Sequence, residues 1–437
     1  VHPSRAIGLD VGTSGVRGVL LDPDGGRRAT ASRALAPAGI RHDGPLHQQE
    51  PERWWEALQE VLAELTDGLE GEPVAIAIDG TSGTLLCTDE QGHPLHPALM
   101  YDDRRAAPAV PRLARLAPPE AAVHSASSSA AKLLWLRGEH GLSGVRRVLH
   151  PADWLAGRLR ERYDRMDENN ALKLGYDVVR RRWPEWLLRE LGDEIGLLPE
   201  VVPAGTPLGP VDPDLAANLG LNPASRVVAG TTDSIAGFLA AGVADTATGV
   251  TSLGSTLALK QLSPRPLFAP ELGVYSHRLG DRWLAGGASH SGGAVLRQFF
   301  DNADLERLGA ALDPKRDSGL DYLPLPGPGE RFPVNDPDLL PRMEPRPTDD
   351  ALFLQGLFEG IARIERDGYA RLRELGAPAL QRVVTLGGGA RSPAWSRIRA
   401  RILGVEVSTA ADDEAAVGTA RLARGTALAA LQEPDPA

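Results

Sequence analysis

The sequence predicts an α/β protein of two lobes, and three observations carry that prediction. Its 437 residues exceed what one ordinary hydrophobic core organises and suit two domains. A passage rich in proline and glycine, VVPAGTPLGPVDPDLAANLGLNPAS, interrupts the chain near its middle. On either side of it a local pattern recurs: IGLDVGTSGVRGVLL and GVTSLGSTLALKQL each read as strand, glycine-hydroxyl turn, strand, a weak likeness that suggests duplicated lobes. The boundary is placed near residue 223, giving a first lobe of 1–223 and a second of 224–437.

In chain order, AIGLDVG is an apolar strand closed by GTSG, VRGVLLD is a second strand, and DPDGG supplies the Asp-Gly signal of a tight hairpin turn. PERWWEALQEVLAELTDGL places apolar residues at helical spacing, with Pro51 near its start and glycine at its end, and PVAIAIDG follows as a buried strand. Residues 105–200 are mostly helical, AAKLLWLRGEH and HPADWLAGRLRER most clearly, and read as an insertion that builds a wall. After the central passage, RVVAGTTD is a strand, SIAGFLAAGV a helix, and ATGVTSLGSTLALKQL two strands about a Gly-Ser turn. PLPGPGERFPVNDPDLLPRMEPRPTDD is a long irregular loop. Then QRVVTLGGGARSPAWSRIRARILGVEVS reads strand, glycine turn, helix, strand, with Ser392 as N-cap and Pro393 in the first turn.

Composition removes several function classes. A chain that is 42% hydrophobic and 24% charged is an ordinary globular protein, and its most apolar window, SIAGFLAAGVA, is too short to span a bilayer. The opening VHPSRAIGLD passes almost directly into a strand, so no export leader is expected, and a single cysteine, Cys87, excludes an internal disulfide; both point to the cytoplasm. A formal charge of −11 with no basic stripe opposes nucleic-acid binding. An anionic ligand must therefore be held by local devices.

Those devices are turns. No lysine follows a glycine and no GxGxxG occurs, so P-loop and dinucleotide motifs are absent. Turns of successive N–H groups and hydroxyls remain, Gly12-Thr13-Ser14-Gly15 and Gly254-Ser255-Thr256, which can form anion-binding concavities. In DVGTSGVR, Asp10 ends a strand and points at the first turn, with Arg17 a short step on; a hairpin with a solvated aspartate accounts for it about as well as a Mg²⁺-positioning site. Asp233, in AGTTDSIAG, lies between a buried strand and a helix, as an N-cap or as the base that accepts a hydroxyl proton; the helix N-terminus keeps it ionised at neutral pH. In LGGGARSPAW three glycines bare the backbone, either for tight packing or as a floor for a flat ring, the second being preferred. Trp54, Trp55, Trp135 and Trp154 sit in helical patterns and belong in cores. His290 is a candidate to face the cleft, but the ten histidines show no metal-binding spacing and no zinc is expected.

Taken in order, DVGTSGVR, GTTDSIAG, GVTSLGST and LGGGARSP resemble the phosphate, catalytic-aspartate, second phosphate and adenosine motifs of the FGGY family of carbohydrate kinases, within the actin and hexokinase superfamily. The resemblance covers nearly the whole chain. It implies two actin-like, ribonuclease H-like lobes about a central cleft, the first binding the sugar and the second ATP, with sugar, ATP and Mg²⁺ as ligands. It further implies that Asp233 is the general base and that Asp10 orients Mg²⁺ and the sugar, Asp233 sharing the metal. Gly12, Thr13, Ser14 and Arg17 with Gly254, Ser255 and Thr256 would flank the phosphates, and Gly387, Gly388, Gly389 and Ser392 would receive the nucleoside. Such a site works by alignment and charge stabilisation, and closing lobes would exclude competing water.

Sugar contacts are expected around DGTSGT (79–84), YDDRR (101–105) and DENNALKLGYD (167–177). Many xylulose kinases carry Gln-x-His, and glycerol kinases Arg-Glu, where this chain has Gly80-Thr81-Ser82-Gly83. YDDRR is similar to the family's Trp-x-Asp-x-Arg segment, leaving Asp103 and Arg105 either structural or pocket-lining. NNALKLGYD and the short length look like the cyanobacterial and plant subgroup acting on D-ribulose, with Thr81 and Ser82 as hydroxyl contacts. The alternatives are a kinase for D-xylulose or another polyol, and a non-enzymatic ATP-binding module on the same scaffold.

Overall fold

Strand Arg5–Val11 is buried at six of its seven positions, because its residues are apolar or small on both faces, and it takes a central place in the first sheet. In the computed structural model, which describes residues 5–36, 39–69 and 71–431, this sheet has seven strands. Residues 1–4, which entered the reading of the N-terminus, lie outside the described ones. By residue range the order is 207–210, 226–228, 74–80, 5–11, 15–21 and 27–34, with the short strand Thr231–Thr232 also against 74–80. Val74–Gly80 runs parallel to Arg5–Val11, and Gly15–Leu21 returns antiparallel through the expected turn.

Helix Pro51–Thr66 buries Trp54, Leu58, Val61 and Leu62 in the core beneath these strands. Trp154, from helix Pro151–Arg160, meets Trp54 edge to face at 6.4 Å. Trp55 is buried as expected, whereas Trp135 is half-buried beside Arg105. Helix Ala415–Ala423 packs on the same sheet through small residues, Ala6, Ala75 and Ala77 among them. A Cβ on Gly8 would stand 2.0 Å from Ala416 O, so glycine is what lets this helix approach.

The chain divides into one unit running to Ala240, joined by Arg278–Gly280 and the segment from Glu414, and another of Ala241–His277 and Asp281–Asp413. The first unit thus extends past residue 223. Strands Arg226–Val228 and Thr231–Thr232 take their hydrogen-bond partners from Val74–Gly80, so pairing keeps them in the first sheet.

In the second unit the sheet order is 275–279, 282–289, 257–263, 248–253, 382–386 and 406–409. The long helix Asp350–Glu374 and helix Pro393–Leu403 pack on one another and share the core with it. The irregular stretch before Asp350 has a structural role: Phe332 fills this core, and the buried Glu330 carboxylate accepts from Ser289 Oγ and His290 N–H. His290 is held there, with Nδ1 3.1 Å from the Gly329 carbonyl. Among the described residues no helix is long and apolar enough to cross a membrane.

Candidate active site

Three parallel strands end at the same level in the first unit. Asp10 pairs with Asp79, and Val11 with Gly80, across one interface; Thr231 pairs with Asp79, and Thr232 with Gly80, across the other. Adjacent strands lie about 4.8 Å apart, so this register sets Asp10, Asp79 and Thr231 in a row, with Asp233 two residues beyond Thr231. Carboxyl ends of parallel strands are where open α/β sheets bind ligands. Asp233 opens helix Asp233–Ala240 and accepts from Ser234 N–H at 2.6 Å.

The row is electrostatically crowded. Asp79 is fully buried, accepts from Thr419 Oγ1, and is pushed well above the usual carboxylate range by burial and then by the charge of Asp10. Burial also raises Asp10, against the opposing influence of its contact with Asp79 and of Arg17, whose guanidinium lies 3.5 Å away. Asp233 adds its negative charge to Asp79 and to Tyr101. Carboxyl groups whose ionised forms repel one another in this way, with Arg17 beside Asp10, suit a hard divalent cation.

The first turn is braced from beneath. Gly12 N–H donates to Gly15 O at 3.0 Å, and Gln49 Nε2 donates to Thr13 O at 2.9 Å, itself held by Trp54 Nε1 at 2.9 Å. The Tyr101 hydroxyl lies near the Thr13 side chain, and burial raises its pKa. Tyr101 also feels the charge of Asp233.

Segment 167–171 reaches the row from the wall. Asp167 caps helix Glu168–Ala171 through Asn169 and Asn170 N–H. Asn169 Nδ2 donates to Thr231 Oγ1 at 3.1 Å and Asn170 Nδ2 to Thr231 O at 3.3 Å, which fixes the strand just ahead of Asp233. Asn169 Oδ1, Asn170 Oδ1 and Thr232 Oγ1 are buried without a hydrogen-bond partner.

Of the two sugar-turn candidates, Thr81 is buried and its hydroxyl is engaged with Thr84 Oγ1 at 2.6 Å, while Ser82 is half-buried at the tip. Asp103 and Arg105 are structural: the fully buried Asp103 carboxylate takes Arg105 Nε and the His47 N–H, and Arg105 also reaches Gln48. His42, His47 and Asp102 gather in space without a sequence spacing to announce them. The two imidazoles stack at 4.5 Å with planes 16° apart, and His47 Nδ1 meets Asp102 Oδ1 at 2.6 Å.

In the second unit the other two motifs adjoin. Strand Thr248–Leu253 pairs in parallel with Arg382–Leu386, which places the Gly254–Thr256 turn beside Gly387–Gly389. Ser255 Oγ accepts from Arg297 at 2.7 Å, and Ser255 O accepts from Ala294 N–H at 3.0 Å. Two of the three glycines are demanded by packing: Gly387 has φ +85° against Leu253 O, and a Cβ on Gly389 would stand 2.4 Å from Leu253 Cδ2. Only Gly388 faces open space. Ser392 caps the next helix, accepting from Trp395 N–H at 3.3 Å.

Profiles of the FGGY carbohydrate-kinase N-terminal and C-terminal domains match residues 5–240 and 249–427. The chain belongs to the FGGY family of carbohydrate kinases. This FGGY kinase is 28% identical over 445 residues to a xylulose kinase of Escherichia coli strain K12, covering 96% of this chain and 89% of the relative. It is 25% identical to a xylulose kinase of Bacillus subtilis strain 168, covering 95% and 87%. Its fold matches the crystal structure of a xyloylose kinase from Brucella ovis with a TM-score of 0.89 at 24% identity, over 99% of this chain and 93% of that one. As an FGGY kinase it is a phosphotransferase that uses ATP on a carbohydrate, which sets aside the non-enzymatic module.

The FGGY motifs did not announce Asp79, Gln49, Asn169 or Asn170 as parts of the row and its bracing. Asp79 had a usable signal, since AIAIDG repeats the apolar-run-then-aspartate pattern of AIGLDVG. The two asparagines lay in a segment read as sugar-facing, and their amide nitrogens are spent on Thr231 instead.

Proposed function

We propose that the protein transfers the γ-phosphoryl group of ATP to a hydroxyl of a ketopentose, with D-ribulose as the preferred acceptor. The observation that carries this is the register that brings Asp10, Asp79 and Thr231 into one row with Asp233 beside it. Asp233, at the mouth of the row, is placed to accept the proton of the attacking hydroxyl, the role that phosphoryl transfer leaves to the protein. Ser82 is the half-buried hydroxyl at the tip of the sugar turn, and the unused oxygens of Asn169, Asn170 and Thr232 are hydrogen-bonding capacity suited to a polyol.

Asp10 and Asp233 fit a Mg²⁺ ion, with Thr13, Ser14 and Arg17 about the phosphates. Bound there, the ion would supply neutralisation of the charge on the phosphoryl oxygens. The chain's own residues do the rest: Gln49 holds the turn, and Asp10 orients the acceptor. In the second unit Ser255, Thr256 and the open Gly388 are the proposed nucleotide contacts, Gly387 and Gly389 letting the turn lie flat. A second reading, D-xylulose, is favoured by the name that the relatives carry, whereas the small Thr81-Ser82 turn in place of Gln-x-His favours D-ribulose.

The test is a coupled-ADP assay on D-ribulose, D-xylulose and glycerol with the wild type and Asp233→Asn. D-ribulose is expected to give the highest kcat/KM, and the variant to lose about 10³-fold or more in kcat while its ATP affinity by calorimetry stays within about threefold. Best turnover on D-xylulose would replace the ribulose assignment. Retained turnover in Asp233→Asn would remove the base.

A further inference from the structure

Beneath the turn that carries Ser82 lies a charge that phosphoryl transfer does not use. Lys132, on helix Ser129–Glu139, is completely buried. Its ammonium donates to Gly83 O at 2.7 Å, Met100 O at 2.6 Å and Ser127 O at 2.9 Å. An ammonium has three N–H donors and no acceptor, so every proton is spent on a backbone carbonyl, and the three carbonyls come from three separate segments. A second cation works on the same turn, since Lys173 Nζ donates to Ser82 O at 3.3 Å.

Burying an ammonium is costly, and burial draws the pKa of Lys132 down to about 7. An apolar side chain of equal length would fill the space without that cost, so what the charge supplies here is the three-way bond. Two of the bonded segments lead into the proposed acceptor site, and the third starts the lysine's own helix. Gly83 follows Ser82; Met100 precedes Tyr101, whose hydroxyl lies near Thr13; Ser127 precedes the Ser128 cap of the helix that carries Lys132.

We propose that Lys132 is a positioning residue for the acceptor sugar. By gathering the Gly83, Met100 and Ser127 carbonyls at one point it fixes the Ser82 turn against Tyr101, and it sets sugar affinity without touching the sugar. The inference rests on the reading that the 79–84 turn receives the acceptor.

The test is Lys132→Met, an unbranched side chain of similar length, assayed with sugar and ATP varied in turn. The expected result is a rise in sugar KM of about tenfold or more with ATP KM within about twofold. Equal effects on both KM values, or an unchanged sugar KM, would overturn the proposal. Should Lys132→Met not fold, Lys173→Met acts on Ser82 O from the same side and should raise sugar KM about two- to fivefold; no rise there overturns it equally.

A pH series adds a readout that a merely structural lysine would not move. Asp102, Asp103 and Arg105 from the segment after strand Ala98–Leu99, Lys173 from the turn Leu172–Leu174, and His150 ahead of helix Pro151–Arg160 are the charged and titratable groups acting with Lys132. Loss of its proton leaves two donors for three carbonyls, so wild-type sugar KM should rise between about pH 6 and about pH 9, and the Lys132→Met profile should be flat across that step. Stability moves the opposite way. The unfolded chain keeps the proton up to the ordinary lysine range while the folded protein releases it near 7, so Lys132 contributes rising stability across that window. Superimposable wild-type and variant profiles would overturn the proposal. A wild-type enzyme indifferent to every sugar would be the distinct failure of the proposed function, and this inference would fall with it.

Discussion

Arg399 and Glu365 form an ion pair inside the second unit with neither side chain exposed. Arg399 reaches both carboxylate oxygens at 2.6 Å and Thr385 Oγ1 at 2.7 Å, and Glu365 also accepts from Thr251 Oγ1 at 2.6 Å. Thr251 and Thr385 lie on the two strands that lead into the proposed nucleotide turns, so this pair sets their spacing. Arg399→Met leaves a buried carboxylate uncompensated and should cost about 3–5 kcal/mol, read as a fall in thermal midpoint, whereas Arg399→Met with Glu365→Leu should recover much of the loss. A single variant as stable as wild type would show that the pair is incidental. At this scale the sequence was informative where a residue combined a strand end with turn chemistry, as at Asp10 and Asp233. It was silent on Arg399 and Lys132, because a charge destined for the interior reads in one dimension like any solvated helix residue.

Helix Ala415–Ala423 shows what decides between elements. Gly418 lies in its middle, where alanine would ordinarily add up to about 1 kcal/mol of helix propensity. A Cβ there would stand 1.8 Å from Ala236 O, a backbone atom that no rotamer change can move. Overpacking therefore wins, and Gly418→Ala should destabilise by about 1–3 kcal/mol in urea unfolding and lower kcat, since the neighbouring Thr419 holds Asp79. A neutral or stabilising result would mean that this helix shifts freely. Most elements were legible from periodicity: Pro51–Thr66, Val74–Gly80 and Pro393–Leu403 lie where apolar spacing and caps put them. Partnership was not legible, since Arg226–Val228 reads as a strand of whichever sheet follows it, and only pairing with Val74–Gly80 assigns it to the first. The glycine run at 387–389 was similarly ambiguous, because packing and ligand access both ask for a missing side chain.

For the molecule as a whole, length and the central proline-glycine passage indicated two domains, and two units are found. The division differs because the chain comes back: Glu414 onwards rejoins the first unit after 170 residues spent on the second. A chain ending at Asp413 would leave Ala6, Ala75, Ala77 and Val228 without their cover at Ala423, so it should lose cooperative unfolding of the first unit and bind a dye for exposed apolar surface. A sharp, wild-type-like transition in that truncation would show the helix to be dispensable.

The late return of this helix also bears on synthesis. At about 5–20 residues per second, the ribosome leaves the first sheet's alanine face bare for on the order of 10 s before its covering segment is made. During that interval the nascent chain offers a flat, small-residue surface with nothing of its own to lay on it, so the cell's demand for holdase protection should peak just before the last turn of the message is read.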